Sequence, residues 1–236
     1  MIARDLHQIE VTTRCQLSCA YCLQPTLTRP IQDMTRETWL AALDWLRFFV
    51  RHGTQGEVVL FGTGEPLLHP DLVQMATEAR AVLGPARRML VTTNGLLVTD
   101  ALIAALQPIN ARVYVSLHQP AKATPAVHKL FRAGLLEGVS IDPVTGSNSW
   151  AGQVDWPNIM PMGDARPPCP WQQAGWLFMS ADGGLYPCCY ANGDMLRQGE
   201  ATDAPHEFDV VTPPICGACW QRTPEHVDGP FVRLSR

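Results

Sequence analysis

The chain has no long apolar stretch, no excess of basic charge and no dense pattern of cysteine. No apolar run in its 236 residues approaches the ~18 residues that span a bilayer. The first ten residues carry charges where a secretory signal needs an apolar segment. We therefore expect a cytoplasmic protein that does not cross a membrane.

The charge balance excludes another class of protein. With 18 basic and 22 acidic residues the net charge is −4, which argues against an extended surface for DNA, RNA or acidic membranes. It does not exclude a local basic site for a single nucleotide. Hydrophobic residues make up 46% and charged residues 17%, as in an ordinary globular protein rather than a disordered one.

The eight cysteines are too few for a small disulfide scaffold, in which cysteine reaches ~8–10%. They form one group before residue 23 and another after residue 168, with none in between. In a reducing compartment, clustered cysteines indicate metal ligands or catalytic thiols. The spacing therefore predicts one site at the start of the chain and a second near its end.

Short apolar segments alternate with amphipathic ones over the first part of the chain. The predicted strands are 7–13, 57–63, 88–95, 111–118 and 139–144, with a possible sixth at 158–162. The predicted helices are 35–51, capped by Thr35, then 70–83, 100–106 and 125–136. This alternation is typical of βα units on a parallel sheet, an α/β fold.

The composition and hydrophobic periodicity of the sequence change near residue 165. Beyond it lie a Pro-Pro-Cys-Pro segment, scattered glycines and no long periodic segment. We predict two domains, 1–165 and 166–236.

The first cysteine group is Cys15-x3-Cys19-x2-Cys22, in the loop after the first predicted strand. Three thiolates leave a tetrahedral structural site one ligand short. An iron–sulfur cube held by three cysteines instead keeps one iron open to a further ligand. The alternative is a zinc loop that borrows a fourth ligand such as His7.

The motif resembles that of radical S-adenosyl-L-methionine (SAM) enzymes, including Tyr21 directly before the third cysteine. The resemblance implies a 4Fe-4S cluster on Cys15, Cys19 and Cys22, whose open iron binds the amino and carboxylate groups of SAM. Tyr21 would lie against the adenine. Electron transfer to SAM would release a 5′-deoxyadenosyl radical that abstracts a hydrogen atom from a substrate. The implied fold is a partial (β/α)6-type barrel over residues 1–165.

Gly64-Glu65-Pro66 follows the second predicted strand and resembles the family's motif for the methionyl amino group of SAM. Thr63 stands where the family often has glycine. A carboxylate beside an ammonium group, and a glycine that admits close approach, both suit the carboxyl edge of a parallel sheet. A strand-ending turn is the alternative.

The next two strand ends carry further candidates. Asn94 ends the third strand, where the resemblance implies that it lines the SAM pocket, and a simple turn is the alternative. Ser116 matches a ribose-binding serine of the family. His118 stands where relatives often have aspartate, and it could bond the ribose, contact the substrate as a catalytic residue or be an ordinary surface histidine.

The second cysteine group contains four candidate ligands, Cys169, Cys188, Cys216 and Cys219. Residues 182–188 predict a hairpin that delivers Cys188. The arrangement resembles the SPASM and Twitch auxiliary-cluster extensions of radical SAM enzymes and matches the smaller, single-cluster Twitch form. It implies a second 4Fe-4S cluster in a small C-terminal domain. A structural zinc site is the alternative.

Cys189 is then the unassigned eighth thiol. It could replace Cys188 as a ligand, act catalytically as a hydrogen-atom donor, or merely pack.

Tryptophan is concentrated at the junction of the two predicted domains. Trp150, Trp156, Trp171 and Trp176 lie there, and we expect them to form part of a substrate wall. Arg166 nearby could bind a carboxylate or phosphate, with an ordinary solvated arginine as the alternative. Aromatic packing between domains is the alternative.

The resemblance implies an oxidoreductase or isomerase. Its partners would be SAM, a small-molecule, nucleotide or peptide substrate, and an external electron donor such as a flavodoxin or ferredoxin. The barrel motifs begin close to residue 1, so we expect no N-terminal domain that binds a leader peptide, which weakens the peptide case. The non-enzymatic alternative is a binding protein stabilised by zinc or an iron–sulfur cluster.

Overall fold

The computed structural model describes residues 3–52, 56–141, 150, 153–154, 169–190, 196–207, 209–211 and 231–233. The strands are β1 (Asp5–Ile9), β2 (Val58–Leu60), β3 (Met89–Thr93), β4 (Arg112–Leu117), β5 (Leu136–Ile141), β6 (Trp176–Met179), β7 (Gly184–Tyr186), β8 (Gly199–Glu200) and β9 (Phe231–Arg233). The α-helices are α1 (Arg36–Arg51), α2 (Leu72–Leu83), α3 (Asp100–Leu106), α4 (Pro120–Arg132) and α5 (Pro170–Ala174). Two short 3-10 helices occupy Gln24–Thr26 and Pro66–Leu68.

These strands form one sheet in the order β8-β7-β6-β1-β2-β3-β4-β5-β9. The run from β6 through β1 to β5 is parallel, whereas β7, β8 and β9 are antiparallel to their neighbours. Helices α1 to α4 connect β1 to β5 in turn. The predicted α/β fold with a mostly parallel sheet is confirmed, and the loops that follow β1 to β4 therefore meet at one edge.

Helix α1 shows how local sequence produces an element. The side chain of Thr35 accepts a hydrogen bond from the backbone N–H of Thr38, which caps the helix as predicted. The helix buries Trp39, Leu43 and Phe49, which belong to the same core cluster as strand residues of the sheet. Each such buried side chain stabilises the fold by roughly 1.5–3 kcal/mol. None of the helices in the described ranges is long and apolar enough to cross a membrane.

Helix α4 differs from its prediction. It begins at Pro120 rather than at residue 125, and Pro125 lies inside it. Proline suits the first helical position because the N–H it lacks has no partner there. The helix ends at Arg132, and Gly134, whose φ is 70°, starts the turn into β5. Strand β5 consequently begins three residues before the predicted 139.

The C-terminal segment joins the sheet directly. Strand β6 pairs in parallel with β1, and Leu6 lies opposite Leu177. Strand β7 folds back on β6 after a turn at Gly183, whose φ is 88°, so the predicted hairpin is confirmed. The possible strand at 158–162 lies outside the described residues, and so does the boundary near residue 165. The division into two domains stays a prediction.

Candidate active site

The loop after β1 carries the first three cysteines. The backbone N–H of Cys22 donates to the carbonyl of Cys19 at 3.0 Å, which closes a turn between these two thiols. The N–H of Leu17 donates to Sγ of Cys15 at 3.4 Å, and the N–H of Gln24 donates to Sγ of Cys22 at 3.3 Å. Hydrogen bonds of this kind stabilise negative charge on sulfur and tune an iron–sulfur cluster.

The thiols of this loop share one electrostatic environment. Burial raises the pKa of Cys15 and of Cys22, and negative charge on Cys19 would raise both further. Three thiolates in one loop would repel one another unless a cationic group lay between them. Among the described residues no three His, Cys, Asp or Glu side chains are already arranged around a metal position, so the loop offers three sulfur atoms that could bind such a group only with a rearrangement of side chains.

A buried ion pair anchors the base of the loop. Arg29 lies 2.7 Å from the carboxylate of Glu10, and their side chains are 2% and 0% exposed. Glu10 also accepts hydrogen bonds from the N–H and the hydroxyl of Thr63 and from the N–H of Ala181. This carboxylate thus holds the cysteine loop, the end of β2 and the β6–β7 turn together.

Sequence reasoning missed this pair, because neither residue belongs to a motif. The structure also explains why Thr63 can stand where the family often has glycine, since its hydroxyl donates to Glu10 at 2.7 Å. An acidic residue in the middle of the first predicted strand, 7–13, was the available signal. A carboxylate in that position needs a partner.

Glu65 is buried at the end of β2, with 2% of its surface exposed. Its carboxylate accepts from the hydroxyl of Thr93 at 2.7 Å, from the N–H of Asn94 at 2.7 Å and from the N–H of Leu67 at 3.0 Å. Burial raises the pKa of Glu65. Among the ion pairs of the described residues none involves Glu65, so this carboxylate suits a cationic ligand group.

Gly64 makes room for backbone rather than for a ligand. A Cβ atom there would lie 2.2 Å from the carbonyl oxygen of Thr12 and 2.8 Å from that of Arg14. The N–H of Glu65 donates to the same Arg14 carbonyl at 2.8 Å. The glycine therefore lets the cysteine loop pack against the start of the glutamate turn.

Asn94 connects the cysteine loop to the buried carboxylate of Glu65. Its Oδ1 accepts from Nε2 of Gln16 at 3.1 Å and from the N–H of Leu96 at 3.1 Å. Its side chain also hydrogen-bonds the thiol of Cys15 and so lowers the pKa of that thiol, against the effect of burial. The structure therefore brings Cys15, Glu65 and Asn94 together as the sequence predicts.

The loop also reaches the end of β4. The hydroxyl of Tyr21 lies 2.7 Å from Nδ1 of His118. On the same strand Ser116 accepts a hydrogen bond from the hydroxyl of Ser140, its parallel neighbour on β5, at 3.3 Å. Ser140 was not predicted, and only the strand register reveals that it adjoins Ser116.

His7 does not lie with the cysteines. Its ring stacks on Trp176 at 3.8 Å and meets the edge of Trp171 at 5.3 Å. Its Nδ1 lies 3.0 Å from the carbonyl of Glu57, which precedes β2, whereas Cys15 follows the carboxyl end of β1. Burial lowers the pKa of His7 to about 4. The zinc site completed by His7 is therefore not supported.

The second cysteine group is partly described. Cys169, Cys188 and Cys189 pack in one apolar cluster with Trp171 and Tyr186. Two of the four predicted ligands therefore lie in one cluster, together with the eighth thiol. Cys216, Cys219, Trp156 and Arg166 lie outside the described residues, and the choice between Cys188 and Cys189 stays open.

Residues 9–139 match the family model of the radical SAM superfamily. The chain is 34% identical over 107 residues to the GTP 3′,8-cyclase of Chlorobaculum tepidum, a match that covers 43% of this chain and 30% of that protein. It is 34% identical over 99 residues to the PqqA peptide cyclase of Gluconobacter oxydans, covering 41% and 25%. The matches thus span less than a third of the length of these two relatives.

Solved structures show the same fold. The structure of BtrN in complex with AdoMet and 2-DOIA matches with a TM-score of 0.68 and 19% identity, covering 83% of this chain and 77% of that one. Native anSMEcpe with bound AdoMet matches with a TM-score of 0.57 and 13% identity, covering 83% and 78%. Identities this low support the fold alone. Since the family model covers more than half of the chain, this protein belongs to the radical SAM superfamily of enzymes.

Proposed function

We propose that this protein cleaves SAM reductively and uses the resulting 5′-deoxyadenosyl radical to abstract a hydrogen atom from a substrate. Rearrangement, dehydrogenation or cross-linking of the substrate would follow. The observation that carries the proposal is that three partly buried thiols share one loop, and that one of them, Cys15, interacts with the buried carboxylate of Glu65, which has no cationic partner among the described residues. The donor set fits a 4Fe-4S cluster, which when bound supplies an electron and one open iron.

Different residues around the thiols would bind different groups of SAM. Glu65 would pair with the ammonium group, because its buried carboxylate has hydrogen-bond donors but no described counter-ion. The ring of Tyr21 would lie against the adenine. The hydroxyls of Ser116 and Ser140 would face the ribose. Asn94 orients Glu65 through its N–H and Cys15 through its side chain.

Gly64 contributes to this site indirectly. Because its backbone packs on Thr12, it fixes how far Glu65 lies from the cysteine loop. His118 holds the hydroxyl of Tyr21 and is a candidate to contact ribose or substrate.

The C-terminal residues 166–236 would form a Twitch-like domain with a second 4Fe-4S cluster on Cys169, Cys188, Cys216 and Cys219. The shared apolar cluster of Cys169 and Cys188 supports this assignment. Such a cluster could exchange an electron with a substrate radical or bind the substrate. Cys189 in the same apolar cluster is then a candidate hydrogen-atom donor or alternative ligand, and zinc on four thiolates is the rival occupant.

The substrate is a small molecule, a nucleotide or a peptide with an abstractable C–H. The relatives' names include a GTP cyclase and a peptide cyclase, which supports testing both nucleotides and peptides. A flavodoxin or ferredoxin would supply the electron.

Anaerobic reconstitution tests the proposal. The protein should take up iron and sulfide, and with dithionite and SAM it should release 5′-deoxyadenosine. Cys15→Ala should abolish this cleavage, whereas Cys216→Ala should retain it and block substrate turnover. Iron near zero, or no 5′-deoxyadenosine from the loaded wild type, would favour the binding-protein alternative.

A further inference from the structure

We infer that Trp150 is a positioning residue that fixes the peptide unit before Cys22 and joins it to the segment that carries Cys188 and Cys189. The inference rests on the proposed function, since it concerns the loop that would hold the cluster. It assigns to Trp150 a role different from that of a substrate wall.

The first step is the peptide unit between Tyr21 and Cys22. Its carbonyl oxygen accepts a hydrogen bond from Nε1 of Trp150 at 2.7 Å. Its N–H donates to the carbonyl of Cys19 at 3.0 Å. Because a peptide unit is planar, bonds at both of its polar atoms fix the orientation of the whole plane. That orientation sets where the ring of Tyr21 and the thiol of Cys22 point.

The second step is the contact between Trp150 and Tyr190. The two rings meet edge to face, with centroids 4.9 Å apart and planes at 67°. Nε2 of Gln153 donates to the carbonyls of both residues at 2.7 Å, so the backbone is held as well as the rings. Tyr190 is 5% exposed and packs with Cys188 and Cys189. Direct contacts therefore run from the Tyr21–Cys22 peptide unit to the second cysteine group.

The third step is the backbone of Trp150 itself, which has a φ of 51°. This left-handed conformation is uncommon for residues with a Cβ atom and persists where surrounding contacts hold it. Glycine would adopt it without strain but has no side chain with which to donate to Tyr21. The strained tryptophan therefore indicates that its side-chain contacts matter at this position.

The test compares Trp150→Phe with the matched control Trp39→Phe. Phenylalanine keeps an aromatic ring at position 150 but lacks the N–H donor and the second ring of the indole. Nε1 of Trp39 also donates at 2.7 Å, but to the carboxylate of Glu78 on α2, so the control undergoes the same side-chain change and loses an indole hydrogen bond away from the cysteines. Trp150→Phe should accelerate hydrogen exchange at the Cys22 amide roughly fivefold, as expected from one neutral hydrogen bond. Trp39→Phe should leave that amide unchanged.

Two further measurements separate positioning from general stability. In the reconstituted protein, Trp150→Phe should change the EPR signal of the reduced, SAM-bound cluster and raise the KM for SAM more than it lowers kcat. A double-mutant cycle with Tyr190→Leu should show coupling at the Cys22 amide, because the two residues act through one set of contacts. The thermal midpoint should fall at least as far in Trp39→Phe as in Trp150→Phe, because Trp39 is 1% exposed in the main core.

Wild-type exchange at Cys22 in Trp150→Phe would overturn the inference, and so would changes in that exchange, in the EPR signal and in the KM for SAM that are no larger than those of Trp39→Phe. If the loaded wild type fails to cleave SAM, the proposed function fails whatever the exchange shows. If it cleaves SAM but Trp150→Phe shows wild-type exchange, this inference alone fails.

Discussion

Tyr21 and His118 are hydrogen-bonded across the sheet, although they follow strands that are not neighbours. The phenolic oxygen and Nδ1 lie 2.7 Å apart, while β2 and β3 separate β1 from β4. The cysteine loop must therefore fold over the strand ends to reach β4. This places the ring of Tyr21 over the edge where the proposed SAM site lies.

Tyr21→Phe and Tyr21→Ala should separate the hydroxyl from the ring. The phenylalanine variant loses one hydrogen bond worth about 0.5–1.5 kcal/mol, so its KM for SAM should rise by about tenfold or less. The alanine variant also loses the ring and should show a clearly larger rise. SAM cleavage kinetics check this, and equal values for the two variants would remove the ring from the site.

Glu65→Gln should weaken SAM cleavage without unfolding the protein. It removes the charge that would pair with the ammonium group, so kcat/KM for SAM should fall by about 10- to 100-fold. Glu37→Gln, at an exposed position on α1, is the matched control and should behave as the wild type. A Glu65→Gln enzyme with unchanged kcat/KM would show that this carboxylate does not bind SAM.

Glu10→Gln should destabilise the protein by about 3–5 kcal/mol, because it leaves Arg29 charged and buried without its counter-ion. The double variant Glu10→Gln, Arg29→Met should recover much of that loss. Asp44→Asn breaks the exposed pair with Arg47 and should cost less than about 1 kcal/mol. Urea unfolding of the cluster-free protein measures all three, and a double variant no more stable than Glu10→Gln would contradict the explanation.

Two residues of β1 should give opposite pH dependences of stability. Burial raises the pKa of Asp5 to about 6, against the opposing charge of Arg87, so the stability Asp5 contributes is full below about 4 and is lost as the pH rises through 6. Burial lowers the pKa of His7 to about 4, so its contribution is full above 6.5 and is lost as the pH falls towards 4. Each of these two contributions to the free energy of unfolding is on the order of 3 kcal/mol. Between pH 4 and 6 their pH dependences have opposite signs and nearly cancel.

Single variants should reveal the two slopes. Asp5→Asn should make the free energy of unfolding fall more steeply than in the wild type from pH 6.5 to 4, because the His7 contribution is no longer offset by that of Asp5. His7→Asn should make it rise over the same interval. Urea unfolding across the pH range checks both, and two variants with the same sign of slope would contradict the pKa assignments.

Local sequence signals predicted most of the repeating part of the fold. The apolar face and the N-cap of α1, and the alternation of strands with helices from β1 to β5, depend on neighbouring residues, which a sequence shows directly. The pairing of β6 with β1 could not be predicted this way, because parallel partners distant in sequence share no local pattern. Helix α4 begins earlier than its prediction because Pro120, rather than Pro125, occupies the first turn.

The candidate site, too, could be predicted from the sequence only in part. The cysteine spacing and the Gly64-Glu65-Pro66 turn were visible as motifs, and the structure brings Cys15, Glu65 and Asn94 together. The contacts that hold them, such as that of Glu10 with Arg29, join single residues from separate loops. Only the packed chain reveals such contacts.

The position of β1 within the sheet has a consequence for the durability of the site. This strand has β6 on one side and β2 on the other, whereas β8 and β9 form the described margins. Fraying begins at margins, where a strand has a single hydrogen-bonded neighbour. The root of the cysteine loop should therefore remain intact while the outer strands detach, so limited proteolysis should trim the sheet before it releases the three thiols.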